Sequence, residues 1–460
     1  MARLMSGNKL QTFLLYFAMV IGTVLAYLAI DQNGSTLAVP GGALKQVAGG
    51  GEQINNLLHV LLALCVVIIT ARAMGAAFKL LGQPPVIGEV IGGILLGPSF
   101  LGAVAPELRL ALLPPSAMPF LSVIAQLGVI FYMFVVGLEL DLKVLRRSGH
   151  VALAISHASI VVPFLLGAGA ALWIYTGFAP HGVSFTSFSL FLGVSMSITA
   201  FPVLARILTD KGIQKTQLGT IALTCAAVDD VTAWCLLAFV VSIVQAKVGG
   251  AVITLVLTVV YIAGMFLIAG PLVRRFVPFI EKFDRLTEGG AAIFFVGLLV
   301  SALATEFIGI HAIFGAFLLG AITPHDSRVA HELTDRIQDL VQILFLPAFF
   351  AFTGMRTQFG LLSTTEDWVV CGALILVASI GKFGGTIFAA RLSGLKWRES
   401  AILGVLMNTR GLVELIVLNL GLDLGVIDSR VFTMLVFMAL VTTFATAPVL
   451  HLLMRKRPLP

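Results

Sequence analysis

The sequence predicts an all-α polytopic membrane protein with about 13–14 transmembrane helices. Three observations predict this fold class: 58% of the 460 residues are hydrophobic and only 11% are charged, the apolar runs are long, and the basic residues lie between those runs. Soluble domains carry about 25% charged residues, and a helix needs roughly 20 apolar residues to cross a hydrocarbon core. Because backbone polar groups in lipid must be paired within their own segment, the spans are expected to be helices.

Fourteen apolar segments are candidate spans, and two of them, 85–102 and 311–324, are short and rich in glycine. In chain order the segments are 12–30, 55–73, 85–102, 119–139, 150–176, 184–209, 216–246, 251–275, 289–308, 311–324, 335–358, 367–393, 397–420 and 429–452. If the N-terminus is inside and the spans alternate, most of the 29 basic residues fall in inside loops, as the positive-inside rule requires. This segregation supports the count and predicts cytoplasmic termini.

The region 1–54 is interpreted as an extra N-terminal helix followed by an outside linker, and 55–453 as the transmembrane domain. A cleaved signal peptide is the alternative reading of segment 12–30. The formal net charge of +6 fits membrane orientation, because no basic stripe with interleaved aromatic residues indicates nucleic acid. The four cysteines fall inside apolar runs, so we expect small buried side chains and no disulfides.

Two adjacent carboxylates, Asp229 and Asp230, lie near the middle of segment 216–246. An ionisable side chain within a membrane span is costly and therefore indicates function. Neighbouring residues on a helix point about 100° apart, so one carboxylate can face a cation pathway while the other faces a basic partner. Burial and a like-charged neighbour favour the protonated form. The pair is therefore predicted to bind a proton in competition with dehydrated Na⁺ or K⁺.

Lys382 is the basic residue inside segment 367–393, and glycines surround it. Small residues allow a second helix to approach closely, and we expect Lys382 to contact one of the two aspartates. Two roles stay open. The lysine could release its proton when the cation binds, or it could be a fixed counter-charge that holds helices together.

Segment 184–209 is predicted to be a broken helix that includes Thr199 and Pro202. Proline removes a backbone hydrogen bond and frees a carbonyl group. Broken helices near the bilayer midplane supply free backbone groups and helix-end charges to transport sites.

Segment 397–420 carries a second interruption at Asn408 and Thr409, followed by Arg410 and Glu414. The spacing of Arg410 and Glu414 allows them to pair on one helix face. The two interrupted segments are an odd number of spans apart, so they cross the membrane in opposite directions. The spans around each interruption are therefore predicted to form inverted repeats.

Six motifs together resemble one family of transporters. They are QPPVIGEVIGGILLGPSFLG from Gln83, GLELDLKVLRRSG from Gly137, SITAFPVLARIL from Ser197, AAVDDVTAW from Ala226, HAIFGAFLLGAITP from His311 and MNTRGLVELIVLNLG from Met407. In this order they resemble the monovalent cation:proton antiporter-2 family, which includes bacterial sodium/proton and potassium/proton antiporters and plant cation/proton exchangers.

The resemblance implies a homodimer with a dimerisation domain and a core transport domain that contains two crossed discontinuous helices. The dimerisation side would comprise about 55–139 and 289–358, the core about 150–246 and 367–452, and a linker helix about 251–275. Segment 12–30 is extra to the usual number of spans in this family.

The resemblance also assigns roles to three residues. Asp230 matches the aspartate that binds the cation and the proton, Asp229 matches its partner, and Lys382 matches the lysine that pairs with that partner. Thr199 and Phe201 stand where some relatives carry an acidic residue.

The predicted function is secondary active exchange of a monovalent cation for H⁺ by alternating access, with Na⁺ slightly favoured over K⁺. The expected location is the inner membrane of a bacterium. No nucleophile–base constellation or cofactor motif occurs in the sequence, so neither an enzyme nor a bound cofactor is expected. The alternatives are a cation channel or efflux gate, and a membrane sensor that does not transport.

Overall fold

The computed structural model describes residues 50–139, 150–213, 216–245, 251–282 and 285–454, and these residues are almost entirely helical. The predicted segment 12–30 lies outside them. The chain divides into a first unit, Met1–Asn55, and a second unit, Asn56–Pro460, which contains the features discussed below.

Most of the main helices are joined by short connections, and two shorter helices, Leu101–Val104 and Pro106–Leu112, lie between the second and the third. In chain order they are α1 (Gly50–Leu80), α2 (Pro85–Leu96), α3 (Met118–Glu139), α4 (His150–Phe178), α5a (Phe185–Ser197), α5b (Phe201–Asp210), α6 (Gln217–Gln245), α7a (Ala251–Gly264), α7b (Gly270–Ile280), α8 (Glu288–Ile308), α9 (Ala312–Ile322), α10a (Arg328–Leu340), α10b (Leu346–Arg356), α11 (Thr365–Leu392), α12a (Trp397–Met407), α12b (Leu412–Asp423) and α13 (Ser429–Met454). Single π-helical turns join α7a to α7b and α10a to α10b.

Within the described residues, ten helices are long and apolar enough to cross a membrane, or eleven if α12a and α12b, bent by 44°, count as one span. Two further apolar helices, α5a and α9, are shorter. Every predicted segment from residue 55 onward contains one of these helices. The count by length is lower than the predicted 13–14 because α5a and α9 do not reach spanning length and segment 12–30 is not described.

The order of a long helix, a broken helix and a long helix occurs twice. It is formed first by α4, α5a/α5b and α6, and again by α11, α12a/α12b and α13. The two breaks contact each other, because the backbone N–H of Ala200 donates to the carbonyl oxygen of Thr409 at 3.0 Å. The discontinuous helices therefore meet at the points where each is interrupted.

The first break lies before the proline that the sequence singled out. Helix α5a ends at Ser197 and α5b begins at Phe201, so Pro202 is the second residue of the new helix. A helix leaves its first N–H groups unpaired, and proline is tolerated there. Pro202 thus begins a helix rather than interrupting one.

Helix α10a begins at Arg328, seven residues before the predicted segment 335–358. The side chain of Ser327 accepts a hydrogen bond from the backbone N–H of Ala330 and so caps this helix. The first turns are polar on one side and bury Val329 and Leu333 on the other. A search for apolar runs misses such an amphipathic start.

Glycines allow α4 and α11 to pack at close range. A Cβ atom added at Gly381 would lie 2.7 Å from Pro163 Cα, and one added at Gly385 would lie 2.5 Å from the carbonyl oxygen of Ala158. This confirms that glycines near Lys382 admit a second helix. Helices α3 and α9 meet in the same way, as is typical of membrane helix pairs.

The cysteines are only partly as predicted. Cys225 and Cys371 are buried, whereas Cys65 and Cys235 are exposed. The expectation of burial was wrong for the last two because an apolar run in a membrane helix includes the side that faces lipid.

Candidate functional site

Asp229 is fully buried and accepts hydrogen bonds from three hydroxyl groups. Ser156 Oγ donates to Oδ1 at 2.5 Å, and Ser159 Oγ and Thr199 Oγ1 donate to Oδ2 at 2.7 and 2.8 Å. The two serines come from α4 and the threonine from the break between α5a and α5b. Because a buried carboxylate must be hydrogen-bonded or paired, this set of donors accounts for the charge at Asp229.

Lys382 completes the surroundings of Asp229. Its Nζ lies 3.3 Å from Asp229 Oδ2 and donates to Thr199 Oγ1 at 2.6 Å. The Lys382 side chain is fully buried, and the close approach of α4 and α11 brings it to the serines of α4. The structure therefore places Lys382 against Asp229, across 153 positions of sequence.

Asp230, the next residue of α6, has different surroundings. It is 5% exposed, and its Oδ1 has no hydrogen-bond partner among the described residues. The backbone N–H of Phe201, the first residue of α5b, interacts with its carboxylate. A helix N-terminus carries a partial positive charge and favours an anion.

Arg410 joins the two broken helices. Its Nη1 and Nη2 donate to the carbonyl oxygens of Ser195 and Met196, at 2.9 and 2.8 Å, in the last turn of α5a. The same guanidinium lies 3.0 Å from Glu414 Oε1, so the predicted i,i+4 pair is present. The last carbonyl groups of a helix lack hydrogen-bond donors within that helix. Here Arg410, from the other break, supplies the donors.

Asn408 and Thr409 directly follow the last residue of α12a, in the region where the two helix breaks meet, which is called the crossing below. Thr199 Oγ1 lies 3.0 Å from the carbonyl oxygen of Met407, next to Asn408. Asn408 is 4% exposed, and its side-chain oxygen has no hydrogen-bond partner in the described part of the chain. Among the described residues beside the two breaks, Asp230 Oδ1 and Asn408 Oδ1 are therefore buried oxygen acceptors without a hydrogen-bond partner; the Glu414 oxygens also lack one, but Glu414 forms an ion pair with Arg410.

Four of the five charged residues at the crossing form two ion pairs, and the fifth, Asp230, does not. Asp229 pairs with Lys382, and Arg410 pairs with Glu414. Asp230 forms no ion pair of its own within the described residues. A buried carboxylate of this kind can be neutralised by a proton or by a small cation, but not by both at once.

Ser156 and Ser159 were not predicted from the sequence, although they supply two of the bonds to Asp229. Their i,i+3 spacing places both hydroxyl groups on one face of α4, and this is the signal that could have identified them. Tyr132 of α3 was also missed, and its hydroxyl lies within electrostatic range of Asp230.

Comparison with known proteins gives consistent results. The family described as sodium/hydrogen exchanger, transmembrane, matches residues 58–456. The chain is 44% identical over 396 residues to the Na⁺/H⁺ antiporter NhaS4 of Synechocystis sp., covering 86% of this chain and 97% of that protein. It is 40% identical over 429 residues to cation/H⁺ antiporter 17 of Arabidopsis thaliana, covering 91% of this chain and about half (51%) of the plant protein.

The fold is similar to that of a solved structure. The sodium proton antiporter MjNhaP1 of Methanocaldococcus jannaschii has a TM-score of 0.61 and 15% sequence identity, over 87% of this chain and 99% of that chain. This similarity supports the predicted fold.

Proposed function

The chain belongs to the sodium/hydrogen exchanger family and is an integral membrane cation/proton antiporter, and we propose that Asp230 binds the proton and the cation in turn. The observation that carries this proposal is the separation of charges at the crossing. Asp229 has Lys382 and three hydroxyl groups, whereas Asp230 keeps a buried oxygen with no partner in the described chain.

The exchange cycle requires only that the proton and the cation compete for the Asp230 carboxylate. With a proton bound, Asp230 is neutral and its burial costs little. When a dehydrated cation arrives, the carboxylate releases the proton and its oxygen becomes a ligand, with the free oxygen of Asn408 as a second candidate ligand. Because one group cannot hold both ions, each passage through the site exchanges one for the other.

Asp229 and Lys382 are assigned a supporting role. The pair is buried and hydrogen-bonded, so Lys382 serves as the fixed counter-charge of Asp229. Thr199 and Arg410 hold the ends of the interrupted helices, and Glu414 balances the charge of Arg410. Such half-helix ends are the common device of ion sites at the bilayer midplane.

Na⁺ is the preferred cation, and K⁺ is the second candidate. The adjacent carboxylates support this preference, as does the relative named for Na⁺/H⁺ exchange. The protein works by alternating access as a homodimer in a bacterial inner membrane, with both termini in the cytoplasm. The helices within 150–246 and 367–452 carry the site, and those within 55–139 and 289–358 form the dimer side.

A proteoliposome assay with an internal pH dye tests the proposal. Na⁺, K⁺ and Li⁺ are added in turn to liposomes with the wild-type protein and with Asp230→Asn. We expect a cation-dependent pH change in the wild type and none in the variant, which should keep its fold. Normal exchange by a folded Asp230→Asn protein would remove Asp230 from the cycle. Ion flow without proton movement would favour the channel alternative.

A further inference from the structure

Arg356 is the last residue of α10b, and its side chain contacts α12b. Its Nη1 donates to Asn419 Oδ1 at 3.0 Å, and its Nη2 donates to Asp423 Oδ1 at 2.6 Å in an ion pair. The amide of Asn419 continues the contact, because its Nδ2 donates to Thr353 Oγ1 of α10b at 2.8 Å. These four residues, Thr353, Arg356, Asn419 and Asp423, are called the Arg356 cluster. They join the end of α10b to α12b through side-chain hydrogen bonds.

The guanidinium of Arg356 also lies near two aromatic rings. Its Cζ is 5.6 Å from the ring centroid of Phe352, one turn earlier on α10b, and 5.9 Å from that of Phe432 on α13. A cation within about 6 Å of a ring centroid is attracted to the ring. From its position on α10b, Arg356 therefore contacts both α12b and α13.

Glycines place α10b and α12b in two different groups of closely packed helices. A Cβ atom added at Gly354 would overlap the carbonyl oxygen of Val90 on α2, and one added at Gly421 would overlap the ring of Phe191 on α5a. Helices in such close contact are expected to move together, because packed interiors do not deform smoothly. In the alternating-access cycle of the proposed function, α10b would therefore move with α2, and α12b with α5a.

The Arg356 cluster lies at one end of the boundary between these two groups. The segregation of the loop charges predicts that Arg356 is at the outside end of the helices, which is called the outer end here. The side chains of Arg356 and Asp423 are 22% and 42% exposed, so the ion pair reaches the protein surface. Asn419 and Thr353 are buried and extend the contact inward along the same boundary.

Polar side chains suit a boundary that both closes and opens. Buried polar groups need hydrogen-bond partners. The members of the cluster have partners in each other while the boundary is closed, and they would find partners in water once it opens. A partly exposed ion pair adds little net stability for the same reason. This contact can therefore break and re-form in every cycle, whereas the glycine contacts within each group cannot.

Helix α12b connects the Arg356 cluster to the ion site. It runs from Leu412, directly after the crossing, to Asp423 in the cluster. Its first turn contains Glu414, which pairs with Arg410. A shift of α12b away from α10b would therefore be felt at the crossing.

We propose that the Arg356 cluster is a latch that holds the outer end of the boundary between α10b and α12b closed, and that it releases each time the site faces outside. The inference rests on the proposed function, because a latch is needed only if the two groups of helices move against each other. It assigns Arg356, Asn419 and Asp423 to the control of access, and none of them binds the transported ions.

Thiol labelling tests the latch. Leu420 follows Asn419 on α12b, is 4% exposed and lies beside Ile310 and Phe314 across the boundary, so a cysteine there should react only when the outer end opens. Leu420→Cys is introduced into protein whose exposed Cys65 and Cys235 are replaced by alanine. Its rate of modification by a membrane-impermeant, positively charged methanethiosulfonate is then measured in proteoliposomes.

We expect Arg356→Gln and Asp423→Asn each to accelerate this labelling at least about threefold, because they shift the population toward the open outer end. The double variant should be no faster than the faster single variant, since both changes remove the same contact. Asp423→Asn keeps the test valid if Arg356→Gln does not fold. The matched control is Glu366→Gln, which removes an exposed charge at the start of α11 and should leave the labelling rate unchanged.

Two results would overturn the latch. One is a labelling rate of Leu420→Cys that is the same with and without the cluster. The other is a parallel gain in reactivity at the native Cys371, which is buried against α13 within a single group of helices, because the cluster would then be a permanent brace of the fold. Na⁺-driven exchange by the wild type in the same liposomes reports separately on the proposed function, so the two can fail independently.

Discussion

Lys382 Nζ lies 3.3 Å from Asp229 Oδ2, and both side chains are 0% exposed. Removing one partner of a buried ion pair leaves a charge without compensation, which typically costs about 3–5 kcal/mol. The contact links the centre of α11 to the centre of α6. It therefore supports both the fold and the electrostatic balance of the site.

Lys382→Ala should lower the melting temperature of the purified protein or change the pH profile of exchange, because Asp229 loses its counter-charge. The measurement is a thermal melt in detergent combined with exchange rates across a pH series. Lys79→Ala is the control, since Lys79 is exposed on α1. The double variant Asp229→Asn with Lys382→Met should recover part of the stability, because it removes both charges. Wild-type stability and pH profile in Lys382→Ala would contradict the pairing role.

Ser156→Ala and Ser159→Ala should each destabilise the protein less than Lys382→Ala. Each removes one hydrogen bond to a charged acceptor, worth roughly 1.5–3 kcal/mol, while the ion pair remains. The measurement is again a thermal melt, with Ser122→Ala as the control, because Ser122 lies on α3 and its hydroxyl accepts a hydrogen bond from the exposed side chain of Gln126. If the two serine variants were as stable as this control, their hydroxyl groups would not be needed at Asp229.

Gly385→Ala and Gly384→Ala should have opposite effects although the residues are neighbours. An added Cβ at Gly385 would lie 2.5 Å from the carbonyl oxygen of Ala158, whereas one at Gly384 meets nothing within 4 Å. The first change forces α4 and α11 apart and should reduce both stability and exchange. The second should be neutral or stabilise by up to about 1 kcal/mol, because alanine is a better helix former than glycine. Equal melting temperatures for the two variants would show that the helices do not pack as closely as described.

Arg410→Lys keeps the positive charge, but lysine should not be able to replace arginine at this position. The guanidinium reaches two carbonyl oxygens of α5a and Glu414 at once, and an ammonium group lacks the planar fork that makes these contacts. We expect a loss of about 2 kcal/mol or more in stability and slower exchange. The control is Arg72→Lys, because Arg72 is exposed on α1 and the same substitution there should leave stability and exchange unchanged. A variant indistinguishable from this control would mean that charge alone suffices.

Acidification should weaken cation binding without lowering the maximal rate at saturating cation. Protons and cations compete for Asp230 in the proposed cycle, so the half-saturating cation concentration should rise as pH falls, by up to about tenfold per pH unit. Initial rates measured over a range of Na⁺ concentrations at several pH values provide the test. A half-saturating concentration that stays constant with pH would argue for separate proton and cation sites.

Buried charge made the centre of the site predictable from sequence. Asp229, Asp230 and Lys382 stand out because ionisable groups are rare in apolar segments, and a lysine in such a place needs an acidic partner. The interruption at Asn408 and Thr409 was visible for a similar reason, since polar residues and glycine disrupt an apolar helix. These features can be recognised from residue type alone, without knowledge of the fold.

Features that depend on which helices touch were not predictable. Ser156 and Ser159 look like any serines in an apolar run until α4 is seen against α6. The sequence predicts a break caused by Pro202, but proline at the start of a helix and proline inside one look alike in sequence. The contact between Arg356 and Asp423 likewise joins residues from distant segments, and nothing local distinguishes it.

The close packing of α4 on α11 through Gly381 and Gly385 has a consequence for the speed of turnover. Backbones at this distance cannot slide past one another, so in the proposed alternating-access cycle Asp229 and Lys382 would travel together with both helices. Two helices that move as one unit would have to displace the acyl chains around them. We therefore expect the viscosity and thickness of the bilayer, rather than proton release at Asp230, to set the maximal exchange rate.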